Sequence, residues 1–96
     1  MGRLPGPQIN ARDEEMVSSA FGTPFKRAII DRRLAPREIE MLCERFGIGP
    51  NRQRVTFAEM ALRHGIRQGR CMQIVHKAMR QLRHPLMRAQ LGGLLP

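Results

Sequence analysis

The sequence contains no tryptophan and no tyrosine, and only four of its 96 residues are phenylalanine. Leucine, isoleucine and methionine must therefore supply most of the core of one small domain. No Phe falls in the basic stretch 66–85, so this stretch lacks the aromatic platform on which readers of single-stranded RNA stack bases. The absence of such a platform makes a generic RNA-binding protein a less favoured interpretation than a protein that binds another partner. No apolar run is long enough to span a membrane, and no signal-peptide pattern follows Met1.

Residues for metal, cofactor or catalytic sites are also few. The two cysteines, Cys43 and Cys71, fall on the apolar faces of predicted helices, and no CxxC spacing occurs. We expect both to be small buried hydrophobic residues in a reduced, cytoplasmic protein. The sequence shows no paired carboxylates, no nucleophile with a base partner and no phosphate-binding glycine loop. We therefore expect no enzymatic activity, cofactor, metal or small-molecule ligand.

Acidic residues are nearly absent from the second half of the chain. Residues 51–96 contain nine Lys or Arg but only one acid, Glu59, which gives this half a net charge of +8. Residues 1–50 contain eight Lys or Arg and seven acids, a net of +1. Such an asymmetry predicts a face that binds a polyanion, and a solvated surface without a partner is the alternative.

Cap and turn residues predict two short helices near the start of the chain, after an irregular lead. Asn10 is a suitable N-cap for a helix over about 11–21, which Gly22 ends. Thr23 and Pro24 begin a second helix as N-cap and first helical residue. The inward positions of this second helix are expected to be Phe25, Ala28 and Ile29.

The third predicted helix begins at Pro36 and ends before Gly47, a suitable C-cap. Its apolar stripe, at i, i+3, i+4 and i+7, consists of Ile39, Leu42, Cys43 and Phe46. A loop is predicted at 48–55, after which Thr56 and Glu59 form a capping box for a fourth helix. Since no strand pattern occurs anywhere, the sequence predicts an all-α fold of about five helices.

The fourth and fifth predicted helices have the pattern of a DNA-binding helix-turn-helix. Gly65 separates the fourth helix from a fifth helix over about 67–84. The turn between two such helices needs a residue that tolerates a positive φ, and glycine does. Ala61 is the small residue at which the two helices cross. The flanking apolar positions are occupied by Met60, Ile66, Cys71 and Ile74. His64 departs from the pattern, because this position is usually apolar. Either its side chain is buried and neutral, or the helix-turn-helix pattern is less strict at this position. A helical hairpin with a glycine turn is the alternative.

The outward face of the fifth helix follows from its inward face, which contains Cys71, Ile74 and Ala78. The outward side is expected to present Arg67, Gln68, Gly69, Arg70, Met72, Gln73, His76, Lys77 and Arg80. In a helix-turn-helix, the first turns of such a helix enter the DNA major groove and later turns follow the backbone. Its cations suit phosphates, its two glutamines suit adenine edges, and Met72 suits a thymine methyl group.

Two stretches resemble region 4 of bacterial sigma-70 family factors. LAPREIEMLCERFGI at 34–48 is similar to the L-T-P-R-E and R-F-G-I elements of that region. TFAEMALRHGIRQGRCMQIVHKAMRQLRHP at 56–85 is similar to its T-L-E-E-V element and its final A-L-R-K-L-R-H-P. The resemblance implies a region 4-like domain over 34–85, after short helices at 1–33. The tail at 86–96 is then either a frayed end or a short docking segment.

The resemblance implies two partners, double-stranded DNA and bacterial RNA polymerase, and thus a nucleoid-associated protein. Region 4 reads the promoter −35 element with its recognition helix, and its earlier helices bind the flap tip of the polymerase β subunit. Arg37, Arg45 and Arg54 are expected to contact phosphates. Gln73 stands where the family places a base-reading glutamine.

The sequence also departs from the family. Where the family usually has Arg, Glu and Arg for −35 reading, this sequence has Gln68, Gly69 and Met72, and the Thr of L-T-P-R-E is Ala35. Nothing resembles region 2, which melts the −10 element, so activity as a complete sigma factor is not expected. Two functions therefore remain open. One is a DNA-binding transcription regulator, and the other is an adaptor that keeps the fold to bind polymerase or another partner without reading a −35 sequence.

Overall fold

The computed structural model describes residues 9–49 and 53–92, which form six α-helices and, within these ranges, no strand. In chain order they are α1 Ala11–Ala20, α2 Pro24–Arg33, α3 Pro36–Phe46, α4 Phe57–His64, α5 Gln68–Arg83 and α6 Pro85–Gly92. The all-α prediction agrees with this architecture. Parts of the predicted lead, loop and tail lie outside the described residues, namely 1–8, 50–52 and 93–96.

The predicted caps lie at the ends of the helices. Asn10 and Thr23 each accept a backbone N–H with the side chain, at the starts of α1 and α2. Thr56 does the same for α4, accepting the N–H of Glu59 at 3.1 Å. Gly47 ends α3 with φ 66°, a left-handed conformation that residues with a Cβ rarely adopt. Local sequence thus fixes where the helices begin and end, independently of how they pack.

Helix α5 packs against α1, α3, α4 and α6, and thus lies at the centre of the fold. Its buried side chains are Cys71, Ile74, Val75, Ala78, Met79 and Leu82. Helix α3 buries the predicted stripe of Ile39, Leu42, Cys43 and Phe46, together with Met41 and Glu38. Fully burying a large aliphatic side chain contributes about 1.5–3 kcal/mol. The apolar contact of α3 with α5 is therefore a major source of stability, and it fixes the orientation of the outer face of α5.

The inner face of α2 differs from the prediction. Ile29 and Ile30 are buried, but Phe25 is 68% exposed and Ala28 is also exposed. The prediction that Phe25 and Ala28 face inward was wrong. The apolar residues of this short helix do not define a single stripe, so its packing partners decide which side is buried. These partners are α1, α3 and α6, and α6 was not among the predicted helices.

The described part of the tail belongs to a sixth helix, Pro85–Gly92, that packs on the core, so of the two alternatives the frayed end does not apply to it. Pro85 ends α5 as predicted, and it is also the first residue of α6. Helix α6 packs against α2 and α5 and buries Met87 and Leu91. Helices α1, α2 and α6 therefore share one hydrophobic core with α3–α5. No helix in the described ranges has the length and apolarity needed to cross a membrane.

Candidate nucleic-acid interface

Helices α4 and α5 are joined by the tight turn that the sequence predicts. Gly65 has φ 64°, and the N–H of Ile66 donates to the carbonyl oxygen of Ala61 at 3.2 Å. A Cβ added at Gly65 would meet no atom within 4 Å, so the positive φ alone favours glycine here. On the inner side Met60 and Cys71 are fully buried, Ile74 is buried, and Ile66 packs against the core. The described geometry is thus that of a helix-turn-helix.

The misfit residue His64 has a polar partner on α3. Its Nε2 lies 2.8 Å from Oε1 of Glu44, and both side chains are mostly buried. Arg63 Nη1 lies 3.5 Å from the other oxygen of the same carboxylate. A hydrogen-bonded carboxylate therefore replaces the apolar contact that is usual at this position. It fixes the end of α4 to α3.

All nine positions predicted to face outward on α5 are exposed. Helix α5 contains no acidic residue, and neither its N-cap Arg67 nor its residues Arg70 and Arg80 form an ion pair with any described residue. Arg70 Nη1 donates to Oε1 of Gln73 at 3.4 Å, which brings a predicted phosphate contact beside a predicted base reader. The outer face of α5 thus presents cations that the protein itself does not neutralise.

Lys77, also on this face, is exposed but lies near a carboxylate of the protein itself. Its Nζ lies 3.8 Å from Oε2 of Glu38, whose other oxygen accepts the N–H of Ala35 at 2.8 Å. The Ala35 side chain cannot cap α3, but Glu38 still supplies the second half of a capping box. The start of α3, left without a Thr cap, is therefore capped by its own Glu38, and Lys77 of α5 lies at the edge of ion-pair distance from that carboxylate.

The three arginines predicted to contact phosphate lie in different surroundings. Arg37 is exposed in the first turn of α3. Arg45 lies with its guanidinium carbon 4.0 Å from the ring centroid of Phe57, and its partial burial lowers the pKa of the guanidinium. Arg54 forms an ion pair of 2.7 Å with Glu14 of α1. The structure thus brings Arg45 close to the helix-turn-helix, whereas Arg54 is paired with an N-terminal helix.

Phe57, the first residue of α4, did not emerge from the sequence as a site residue. Its ring packs edge-to-face with the imidazole of His76 on α5, with centroids 6.0 Å apart and planes at 87°. It therefore connects Arg45 on α3 with the exposed face of α5. The signal in the sequence was a phenylalanine where the T-L-E-E-V element has leucine.

The described residues offer little for metal or thiol chemistry. No group of three His, Cys, Asp or Glu side chains among them could hold a metal ion. Cys71 is fully buried, and the resulting loss of hydration raises the pKa of its thiol. A thiol of this kind is a poor nucleophile because the thiolate is disfavoured.

Residues 32–84 match the protein family described as Sigma-70, region 4, over more than half of the chain. The chain belongs to the sigma-70 region 4 family. The match covers α3, α4 and α5, which are the helices that build the interface described above. It confirms the resemblance found in the sequence and assigns a DNA-binding helix-turn-helix domain of the sigma and regulator type. No curated protein and no solved structure matches the chain.

Proposed function

We propose that this region 4 protein is a transcription regulator that contacts promoter DNA through α5 and RNA polymerase through its earlier helices. The observation that carries the proposal is the outer face of α5. Arg67, Arg70 and Arg80 are exposed there, and no carboxylate of the described residues neutralises them. Cations that pair with phosphates release counterions from DNA, which provides most of the sequence-independent affinity.

Base reading is assigned to the uncharged part of the same face. Gln68 and Gln73 can each donate and accept a hydrogen bond at an adenine edge, and Met72 can contact a thymine methyl group. All three side chains are exposed on α5, in its first two turns. This half of the helix is the part that enters the major groove in helix-turn-helix complexes. The proposed target is therefore duplex DNA in which A·T pairs contribute to specificity.

The polymerase contact is proposed for the side of the molecule formed by α2 and α3. A groove of about 630 Å³ lies there, and its walls include Ile39, Cys43 and Ile48 together with Arg27 and Glu40. Apolar walls with a few charged groups at the edge suit a partner's side chains. Members of the family bind polymerase with the helices that precede the recognition helix, which favours this side.

An adaptor without sequence-specific DNA reading is the second candidate. It is favoured by Gln68, Gly69 and Met72, which replace the charged residues usual in the family. Gly69 offers no side chain to a base, and a Cβ there would meet nothing within 4 Å. The lost contacts are worth about 1–3 kcal/mol for each good bidentate pair. In this case the fold would serve to bind polymerase or another protein.

The experiment that tests the proposal is selection of duplexes from a random DNA pool at near-physiological salt, using the whole chain. It is repeated with a variant that combines Arg70→Ala with Arg80→Ala, and binding of both proteins to RNA polymerase is measured in parallel. Lys77 is kept because it lies beside the buried Glu38. A variant with Arg12→Ala and Arg88→Ala is the matched control, since it loses the same charge from exposed sites on α1 and α6, away from the proposed polymerase groove.

An enriched motif with the wild type, lost with the α5 variant and kept with the control, is the expected result. Selection without any motif, combined with polymerase binding that survives in all three proteins, would exclude base reading and support the adaptor. Failure to bind either duplex DNA or polymerase would contradict both functions.

A further inference from the structure

Three side chains from three helices form a stack at the edge of the helix-turn-helix. Arg45 at the end of α3 places its guanidinium carbon 4.0 Å from the ring centroid of Phe57, the first residue of α4. On α5, His76 packs edge-to-face against the same ring at 6.0 Å between centroids. Phe57 and Arg45 are half-buried, and His76 is exposed. The stack therefore joins an arginine to the face of α5 that is proposed to contact DNA.

A ring beneath a guanidinium orders the cation without using its hydrogen-bond donors. The five N–H groups of arginine lie in the guanidinium plane, so contact through the flat face leaves them available to a phosphate. An arginine held in this way loses less side-chain entropy on binding than a mobile one. Partial burial also lowers the pKa of Arg45, yet arginine remains cationic at neutral pH.

Arg45 forms no ion pair with an acidic residue in the described part of the chain. No carboxylate in the described ranges lies within ion-pair distance of it, whereas Arg54 is paired with Glu14 and Lys77 lies near Glu38. The ring of Phe57 is the cation–π partner that the structure shows for Arg45. A leucine, usual in the T-L-E-E-V element, would fill the space but would present no negative ring face to a cation.

We propose that Phe57 is a positioning residue for DNA binding. It holds the Arg45 guanidinium over its ring at the junction of α3, α4 and α5, where the N–H groups are available to a backbone phosphate when α5 lies in the major groove. The proposal rests on the DNA-binding function proposed above. Phe57 itself bears no charge and need not contact DNA, so its effect must act through Arg45.

The test measures the affinity of the whole chain for a short mixed-sequence duplex as a function of salt. Phosphate contacts carry no sequence information, so one duplex is sufficient. Phe57→Leu is expected to weaken binding about threefold to tenfold, and Phe57→Tyr, which keeps the ring, to retain nearly wild-type affinity. In an Arg45→Ala background, Phe57→Leu is expected to have no further effect.

Arg45→Lys provides a second variant that does not alter the core. It keeps the charge but loses the planar group, and it is expected to weaken binding about as much as Phe57→Leu. Phe21→Leu is the matched control. Its ring lies 5.4 Å from the guanidinium of Arg27, which is already bound to Asp31 away from α5. DNA affinity of this control should be unchanged.

Three results would each overturn the proposal. The first is that Phe57→Leu binds DNA as tightly as the wild type. The second is that Phe57→Leu weakens DNA binding equally in the wild-type and the Arg45→Ala backgrounds. The third is that Phe57→Tyr weakens DNA binding as much as Phe57→Leu does. Failure of the wild type to bind duplex DNA would overturn the proposed function as well. Normal binding by the wild type and by Phe57→Leu would overturn only the role of Phe57.

Discussion

Two buried acids of α3 and the exposed arginines of α5 use their charge in opposite ways. On α3, the carboxylates of Glu38 and Glu44 are almost fully buried and each is hydrogen-bonded. On α5, Arg70 and Arg80, together with the N-cap Arg67, are exposed and form no ion pair with any described residue. These two carboxylates of α3 therefore connect parts of the fold, whereas the exposed arginines of α5 are available to a partner.

Two cations of α5 do lie near acids of the protein itself. Lys77 lies near Glu38, and Arg83, at the last residue of the helix, is paired with Asp13 of α1. Both hold α5 in place. Surface ion pairs are typically worth about 0–1 kcal/mol, so these contacts orient the helix more than they stabilise it. The cations of α5 thus form two groups. Lys77 and Arg83 lie near acids of other helices, and the others form no ion pair with a described residue.

The two faces of α5 should respond differently to truncation, and this gives the largest expected effect. Ile74→Ala removes a buried side chain and is expected to lower the free energy of unfolding by about 2–5 kcal/mol. Met72→Ala, on the exposed face, is expected to change it by less than about 0.5 kcal/mol. Chemical denaturation of both variants is the measurement. Similar losses for the two would show that the face of α5 proposed to bind DNA is buried in the protein.

The buried carboxylate of Glu44 should be structurally important. Glu44→Ala leaves the mostly buried His64 without its partner and is expected to cost about 1–3 kcal/mol of unfolding free energy. Glu40→Ala is the matched control, because Glu40 is an exposed acid on the same helix and is expected to cost less than about 0.5 kcal/mol. Equal effects in denaturation experiments would mean that the contact with His64 does not stabilise the junction of α3 and α4.

The two glycines at 65 and 69 should give effects of opposite sign. Gly65→Ala forces a Cβ into a backbone with φ 64° and is expected to cost about 1–2 kcal/mol. Gly69→Ala lies in helical backbone with open space around it and is expected to gain about 0.5–1 kcal/mol. Thermal unfolding measures both. A neutral Gly65→Ala would contradict the left-handed backbone at the turn between α4 and α5.

The smallest expected effect concerns the start of α3. Ala35 has the extended backbone of an N-cap but no side-chain acceptor, so Ala35→Thr is expected to add about 1 kcal/mol of stability. Thermal unfolding of this variant is compared with that of Ala58→Thr, an exposed position inside α4 that gains no cap. If Ala35→Thr brings no gain, Glu38 and Lys77 already compensate for the missing cap.

Local signals predicted the helix ends and the inner faces of α3 and α5. Asn10, Thr23, Gly47, Thr56 and Gly65 act within a few residues of themselves, so their roles can be inferred without knowing the tertiary contacts. A long, regular apolar stripe likewise shows which face of a helix is buried, without knowledge of the tertiary contacts. The helix-turn-helix and the exposed residues of α5 follow from these two kinds of signal.

Features that depend on two distant segments were not predicted. The orientation of α2 depends on α6, and the pairing of His64 with Glu44 joins residues 20 positions apart. The contact of Phe57 with both Arg45 and His76 depends on three helices. No periodicity in one segment encodes such contacts. The roles of individual residues in DNA contact stay predictions, since they concern a partner.

The availability of the α5 cations is tested by the salt dependence of binding to duplex DNA, measured for the wild type and for Arg70→Ala combined with Arg80→Ala. If both arginines neutralise phosphates, the slope of log affinity against log salt should become shallower by about two in the variant. The free energy of unfolding should stay within about 0.5 kcal/mol of the wild type. An identical slope in the two proteins would contradict the assignment of α5 as the DNA-contacting helix.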